Sequence, residues 1–164
     1  MRTVALAMSV TAILLSGDLV AKDGGNPVGS WRLVSASATT ADGGRNEAPF
    51  GSSPTGALTY TADGRMILII SYSGRKLLSG ADRIASPVAE RAEAFTTSFA
   101  YAGRYTLTGD KVRHHVEVAS VENWVNTDLV RIAKFDGNRL TLQTPPLSVG
   151  GVMQTSELVW ERIR

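Results

Sequence analysis

The two histidines of this 164-residue chain stand side by side, His114 and His115, in the stretch RHHVEVASVENW (113–124). An imidazole can bind a metal ion, hydrogen-bond through both nitrogens or move a proton near neutral pH. The stretch has the composition of a β-strand, and side chains alternate between the two faces of a strand. The two rings therefore leave on opposite sides of a sheet and cannot chelate one metal ion.

Valines accompany His114 on one face of this strand, and charged residues accompany His115 on the other. The first face holds Val112, Val116 and Val118, and the second holds Arg113 and Glu117. The valine face is expected to point into the core, so His114 is predicted to be interior and His115 to belong to a solvated, charge-paired surface. A surface ion shared by His115 and Glu117 would lack a third ligand at suitable spacing, so we expect no metal site.

Four further residues are expected near His114. Tyr101 and Tyr105 share one face of the preceding strand, which a tight Gly-Asp turn joins to the strand of His114. Trp124 follows that strand, and Arg131 lies in the next one, where burial without a carboxylate, a ligand anion or several carbonyls would be costly. The register of the Arg131 strand is open, because both of its faces carry apolar residues. We predict that these four residues line a pocket with His114, which is either a structural hydrogen-bonding residue or a ligand contact.

Short β-type runs separated by turn residues such as ADG, GD and DGN occupy most of the chain. Eight strands are predicted, at 28–38, 55–61, 65–72, 100–108, 111–120, 128–135, 139–144 and 153–163. One helix is predicted at 86–100, between the third and fourth strands, with Ser86 as cap and Val88, Ala92, Phe95 and Phe99 on one stripe. This order favours an all-β, eight-stranded antiparallel barrel, whose interior suits side chains or one small ligand.

The N-terminus reads as a secretory signal peptide, with Arg2 followed by the apolar run TVALAMSVTAILLSG. We expect cleavage near Ala21, a linker at 22–27, one domain at 28–164 and a periplasmic or secreted location. Asp18 ends the apolar run before it reaches the length of a bilayer span, so no stable membrane insertion is expected after the signal peptide is cleaved. A buried N-terminal helix is the alternative.

Composition excludes several classes of function. The net charge is +2, with Lys and Arg scattered singly, so nucleic acid is not an expected partner. The absence of Cys excludes disulfides, thiolate chemistry and Cys-ligated zinc. No nucleophile elbow, phosphate loop, dinucleotide fingerprint or zinc-protease motif occurs.

Gly29-x-Trp31 on the first strand and the closing LVWERIR resemble the lipocalin-like (calycin) barrels. The segments GALTYTADGRM, YAGRYTLTGDKVRHHVEVASVENWVNTD and RLTLQTPP make the chain similar to the lipocalin-like domain family of bacterial and fungal proteins, from about Asn26 to Arg164. The resemblance implies a barrel with an enclosed pocket rather than a reaction. It also implies that Trp31 packs across the barrel floor under a basic residue, either Arg162 or Arg164.

The sequence thus predicts an exported barrel that binds a small, mainly hydrophobic molecule, with His114 and its neighbours at the polar end. The alternative is an isomerase or cyclase that uses His114 as acid or base in the same cavity. Binding of haem by His114 is a minor alternative to the expectation of no cofactor. A filled barrel that acts through its surface is a third possibility, and the sequence leaves the oligomeric state open.

Overall fold

The fold is given by a computed structural model that describes residues 25–163. The predicted signal peptide at 1–21, the first part of the linker and Arg164 lie outside the described residues. Ten strands occur in the described range: β1 (Gly29–Thr40), β2 (Arg45–Asn46), β3 (Thr55–Tyr60), β4 (Arg65–Ser71), β5 (Ser98–Thr108), β6 (Lys111–Ala119), β7 (Asp128–Asp136), β8 (Arg139–Gln143), β9 (Leu147–Val149) and β10 (Val152–Arg162).

Eight of these strands close into an antiparallel barrel, as the sequence predicted. Each long strand pairs with its neighbours in chain order, and β1 also pairs with β10, which closes the sheet. The two short strands, β2 and β9, extend the sheet beside β1 and β10. Closure gives each barrel strand a partner on both sides, so none of the eight is an edge strand of an open sheet.

The helix α1 (Val88–Thr96) lies between the third and fourth barrel strands, where it was predicted, but its details differ. Pro87 rather than Ser86 is the N-cap residue, and no side chain caps this end. The predicted apolar stripe is not a core face, because Val88 is 72% and Phe95 57% exposed and Phe99 belongs to β5. No helix in residues 25–163 is long and apolar enough to cross a membrane.

Apolar and polar residues alternate along the barrel strands, as expected for strands with one solvated face. The apolar side chains fill the barrel interior. The buried core draws on every barrel strand, through Trp31, Leu33, Ala36, Leu58, Tyr60, Met66, Leu68, Ile70, Tyr101, Val112, Val116, Ala133, Leu140, Leu142, Leu158 and Trp160. His114 lies among these side chains with no exposed surface.

A β-bulge in β6 corrects one sequence-based assignment. Gly103 pairs with Val116 but its neighbour Ala102 pairs with Val118, so Glu117 is an extra residue on its strand. Beyond the bulge the faces exchange: Val118, predicted to be interior, is 61% exposed, and Ala119 packs against the core. Bulges of this kind locally disrupt the alternation of a strand.

Glycine is required where the bulge passes β5. A Cβ atom on Gly103 would overlap the backbone carbonyl of His115, so no larger residue fits without a backbone shift. Ion pairs from Glu117 to Arg65 on β4 and Arg104 on β5 hold the bulged residue from outside. The bulge is therefore fixed on both faces of the sheet.

One end of the barrel is closed by Trp31, which is fully buried. Its Nε1 donates to the carbonyl of Pro27 at 2.9 Å, and the guanidinium carbon of Arg162 lies 4.1 Å from its ring centroid. Arg162 also donates to the carbonyls of Val28 and Asn26. Gly29 leaves room for this guanidinium and adopts a φ of 137° that other residues rarely take. The structure thus brings Gly29, Trp31 and Arg162 into one arrangement at the barrel floor.

Candidate functional site

His114 forms two hydrogen bonds inside the barrel, both to tyrosine hydroxyls. Its Nε2 lies 2.6 Å from the Oη of Tyr60, and its Nδ1 lies 3.0 Å from the Oη of Tyr101. All three side chains are buried. A neutral imidazole donates a hydrogen bond from one nitrogen and accepts one at the other. One tyrosine hydroxyl therefore donates a hydrogen bond to the ring, and the other accepts one from it.

Three strands position this Tyr60–His114–Tyr101 network. Tyr101 and His114 face inward from the adjacent strands β5 and β6, on either side of the bulge. Tyr60 is the last residue of β3 and reaches His114 from a strand that does not pair with β6. The network therefore spans the barrel and ties its walls together.

Tyr105 lies near the network without bonding to His114. It opposes His114 in the β5–β6 register, and its ring centroid lies 4.6 Å from that of Tyr60. Its hydroxyl donates instead to the carbonyl of Thr61 at 3.0 Å. Tyr105 thus supports the ring of Tyr60 and points its polar end away from the imidazole.

An aromatic row leads from the network to the end of the barrel opposite Trp31. Trp124, in the 3₁₀ turn Glu122–Trp124, packs edge-on against Tyr101 and Phe99, with centroids 6.0 and 5.8 Å apart. Phe99 contacts Phe50, which stacks on Tyr72 at 4.7 Å. The outer members of the row are half-buried, so the network connects to the surface through aromatic side chains.

Arg131 also faces the interior. Leu129, Ala133 and Phe135 share its face of β7 and pack in or against the core, while Val130 and Ile132 on the other face are exposed. This settles the register that the sequence left open. Arg131 is half-buried, and its Nη1 donates to the carbonyl of Val130 at 2.8 Å.

The electrostatics of the network follow from burial and from Arg131. Burial, with a smaller effect of the Arg131 charge, lowers the pKa of His114 to about 3, so the imidazole is neutral at physiological pH. Burial raises the pKa of both Tyr60 and Tyr101, and the guanidinium of Arg131 opposes this rise. Arg131 therefore acts on all three members of the network.

Acid is expected to destabilise the fold through His114. Its pKa of about 3 lies below the ordinary value of 6.5, so on acidification the unfolded chain takes up the proton first. The contribution of His114 is complete above about pH 6.5 and is lost by about 1.4 kcal/mol per pH unit as the pH falls toward 3. Urea unfolding at pH values from about 7 to about 4 should therefore show a shallower loss for His114→Gln, whose amide can also bond both tyrosines. Equal slopes in the two proteins would contradict this.

His115 lies on the outer surface, as its position in the strand predicted. Its Nδ1 is 2.9 Å from an oxygen of Asp128, which also receives a hydrogen bond from Arg113. Glu117 is engaged with Arg65 and Arg104 instead. Within residues 25–163, no group of three His, Cys, Asp or Glu side chains is arranged to hold a metal ion.

Two other features of the described chain bear on ligand binding. A groove of about 310 Å³ lies beside the paired strands β1 and β10, at the end of the barrel opposite Trp31. Its lining includes Thr39, Arg45 and Met153 but no residue of the network. Inside the barrel, the buried indole Nε1 of Trp160 has no hydrogen-bond partner among the described residues. The interior thus retains a polar donor that the fold does not use.

The network contains one residue that the sequence did not single out, Tyr60. The sequence placed His114, Tyr101, Tyr105, Trp124 and Arg131 near one another through neighbouring strands. Tyr60 joins them across the barrel, from a strand with no register to β6. Its only signal was alternation, which puts Leu58 and Tyr60 on the same inward face of β3.

Comparison with known proteins agrees with this architecture. The profile described as a lipocalin-like domain matches residues 28–163. A protein of Aspergillus oryzae named as a 4'-hydroxy-3'-methoxypropiophenone carrier protein is 33% identical over 101 residues, which cover 56% of this chain and 86% of that protein. No solved structure gives a significant match. The closed eight-stranded barrel and the matched profile together show that the chain belongs to the lipocalin-like domain family.

Proposed function

We propose that the protein is a carrier that binds a small, mainly apolar molecule in its barrel, beside the Tyr60–His114–Tyr101 network. The observation that carries the proposal is the combination of a few polar groups, fixed in place by one another, with aromatic walls that reach the barrel end. Ligand sites in proteins commonly have this composition, mostly apolar with a small number of placed polar groups. The expected contacts are His114, Tyr101, Tyr105, Trp124 and Arg131.

The Aspergillus oryzae relative supports a carrier role, since it is named for binding an aryl ketone. A flat aryl ring suits the edge-on packing of Trp124, Tyr101 and Phe99, because aromatic rings prefer such offset or tilted contacts. We therefore propose aromatic molecules of similar size as the ligands of this protein.

Proton-transfer catalysis by His114 is the weaker alternative. Both ring nitrogens are held by tyrosine hydroxyls, and a pKa of about 3 leaves the imidazole a poor base at neutral pH. Axial ligation of haem would likewise require one of these nitrogens to give up its tyrosine. A fixed, neutral hydrogen-bonding role fits the geometry better.

The test is displacement of a neutral fluorescent probe, N-phenyl-1-naphthylamine, by 4'-hydroxy-3'-methoxypropiophenone. We expect both the probe and the propiophenone to bind saturably. Trp124→Ala should weaken the binding of each compound about tenfold, because it removes aromatic contact area. Met153→Ala, an apolar truncation in the groove outside the network, is the matched control and should bind as the parent does. Weakening by Met153→Ala alone would move the site to the groove, and no binding of either compound would overturn the carrier proposal.

Export is a further part of the proposal, and it rests on the apolar segment after Arg2. We expect the protein isolated from its own host to begin near residue 22 and to be found outside the cytoplasm. Fractionation followed by intact-mass measurement tests this. A cytoplasmic protein that retains the first residues would contradict it.

A further inference from the structure

The surroundings of Arg131 differ from those of four other arginines on the barrel strands. Arg32, Arg65, Arg104 and Arg113 lie on the outer surface, and each pairs with a carboxylate. Arg131 starts from the inner wall, opposite the buried Val112 of β6. None of the ion pairs formed by the described residues includes Arg131. Its Nη1 donates to the carbonyl of Val130, and its side chain also interacts with the hydroxyl of Tyr101, which carries no charge.

The Arg131 side chain starts from the inner wall of β7, and its guanidinium lies near the network. It lies close enough to Tyr60, Tyr101 and His114 to affect the ionisation of each of them. All three are neutral at physiological pH, so none of them balances its charge. A ligand that displaced water from this region would leave the guanidinium poorly solvated unless the ligand supplied a negative oxygen.

The surroundings also define the shape of such a ligand. Tyr101, which interacts with Arg131, also packs against Trp124 with ring planes at 88°. A flat ring is therefore expected between the cation and the aromatic row. A single guanidinium beside a neutral network matches a monoanion, whereas a phosphate dianion would call for more positive charge or helix N-termini.

We infer that the barrel selects phenols, bound as the phenolate with the phenolate oxygen on the Arg131 guanidinium and the ring beside Tyr101 and Trp124. This rests on the proposed carrier function and names its ligand class. Hydrogen bonds to a charged group are stronger than those to a neutral one. The phenolate should therefore bind better than a neutral compound of the same shape.

The experiment compares 4-nitrophenol, which ionises near neutral pH and changes its absorbance on doing so, with its methyl ether, 4-nitroanisole. Slightly above neutral pH, the phenol should bind the parent protein on the order of tenfold more tightly than the ether. An absorbance titration of the bound phenol should show its pKa lowered by about one unit. Arg131→Gln should abolish both the preference and the pKa shift, and Arg131→Lys should retain part of them.

Arg113→Gln is the control, since Arg113 lies on the outer wall of the adjacent strand and is expected to leave the preference intact. Equal binding of phenol and ether by the parent protein would overturn the inference while leaving the carrier function standing. Tighter binding of 4-nitrobenzoate than of 4-nitrophenol would also overturn it, by assigning Arg131 to carboxylates. If neither these compounds nor the neutral fluorescent probe binds, the carrier proposal itself fails. Melting curves of each variant establish that it is folded.

Discussion

Replacing His114 with leucine is expected to lower the free energy of unfolding by about 2–6 kcal/mol, because it leaves two buried tyrosine hydroxyls without their partner. Each of these hydroxyls bonds to a different nitrogen of the ring, at 2.6 and 3.0 Å. Urea unfolding followed by tryptophan fluorescence measures the loss. His115→Leu, the matched change one residue away on the exposed face, should have little effect.

A double-mutant cycle separates the hydrogen bond from the change in side-chain shape. Tyr60→Phe alone leaves the imidazole Nε2 unpaired, and it should destabilise the fold by about 1–3 kcal/mol. Combined with His114→Leu, it removes both partners, so the double variant should be more stable than the sum of the single effects indicates. Strict additivity would mean that the two side chains do not stabilise each other.

Replacing Trp31 with alanine is expected to cost about 3–5 kcal/mol, the range for removal of a large aromatic side chain from a core. Trp31 has no exposed surface, and Arg162 covers its ring at 4.1 Å. Its loss would therefore open the closed end of the barrel and remove the surface on which the guanidinium rests. Thermal and urea unfolding both measure the effect.

The comparison variant is Trp124→Ala, which removes the same kind of side chain from a half-buried position in the aromatic row. It should reduce stability less than Trp31→Ala and ligand binding more. The comparison of the two variants in stability and in ligand binding tests whether the Trp31 end of the barrel is structural and the Trp124 end binds the ligand. This assignment is wrong if Trp31→Ala costs no more stability than Trp124→Ala.

The strands and their order were predictable because their signals are local. The turns at ADG, GD and DGN lie between strands whose ends fall within one or two residues of the predicted ones. Alternation then placed His114 inside and His115 outside. Adjacent strands joined by tight turns made Tyr101 and Tyr105 expected neighbours of His114, since the turn sets the register.

The Tyr60–His114 bond and the exposure of the apolar stripe on α1 escaped prediction because they depend on contacts between distant parts of the chain. The bond between Tyr60 and His114 crosses the barrel and depends on its curvature, which no pairwise register encodes. Burial of the apolar stripe on α1 also depends on distant contacts, because a helix buries its apolar face only if another element lies against it. The sequence specified the stripe, but the described fold leaves Val88 and Phe95 exposed.

The bulge at Glu117 has a consequence for the inner wall beside Tyr101. Regular alternation would direct Val118 inward, whereas the bulged strand pairs Ala119 with Tyr101 and turns Val118 to solvent. An alanine thus occupies the inner wall where a valine would otherwise stand, so the side chain opposite Tyr101 is smaller by two methyl groups. A single extra residue in the backbone, rather than a change of side chain, thus decides which side chain faces the interior at this point of the wall.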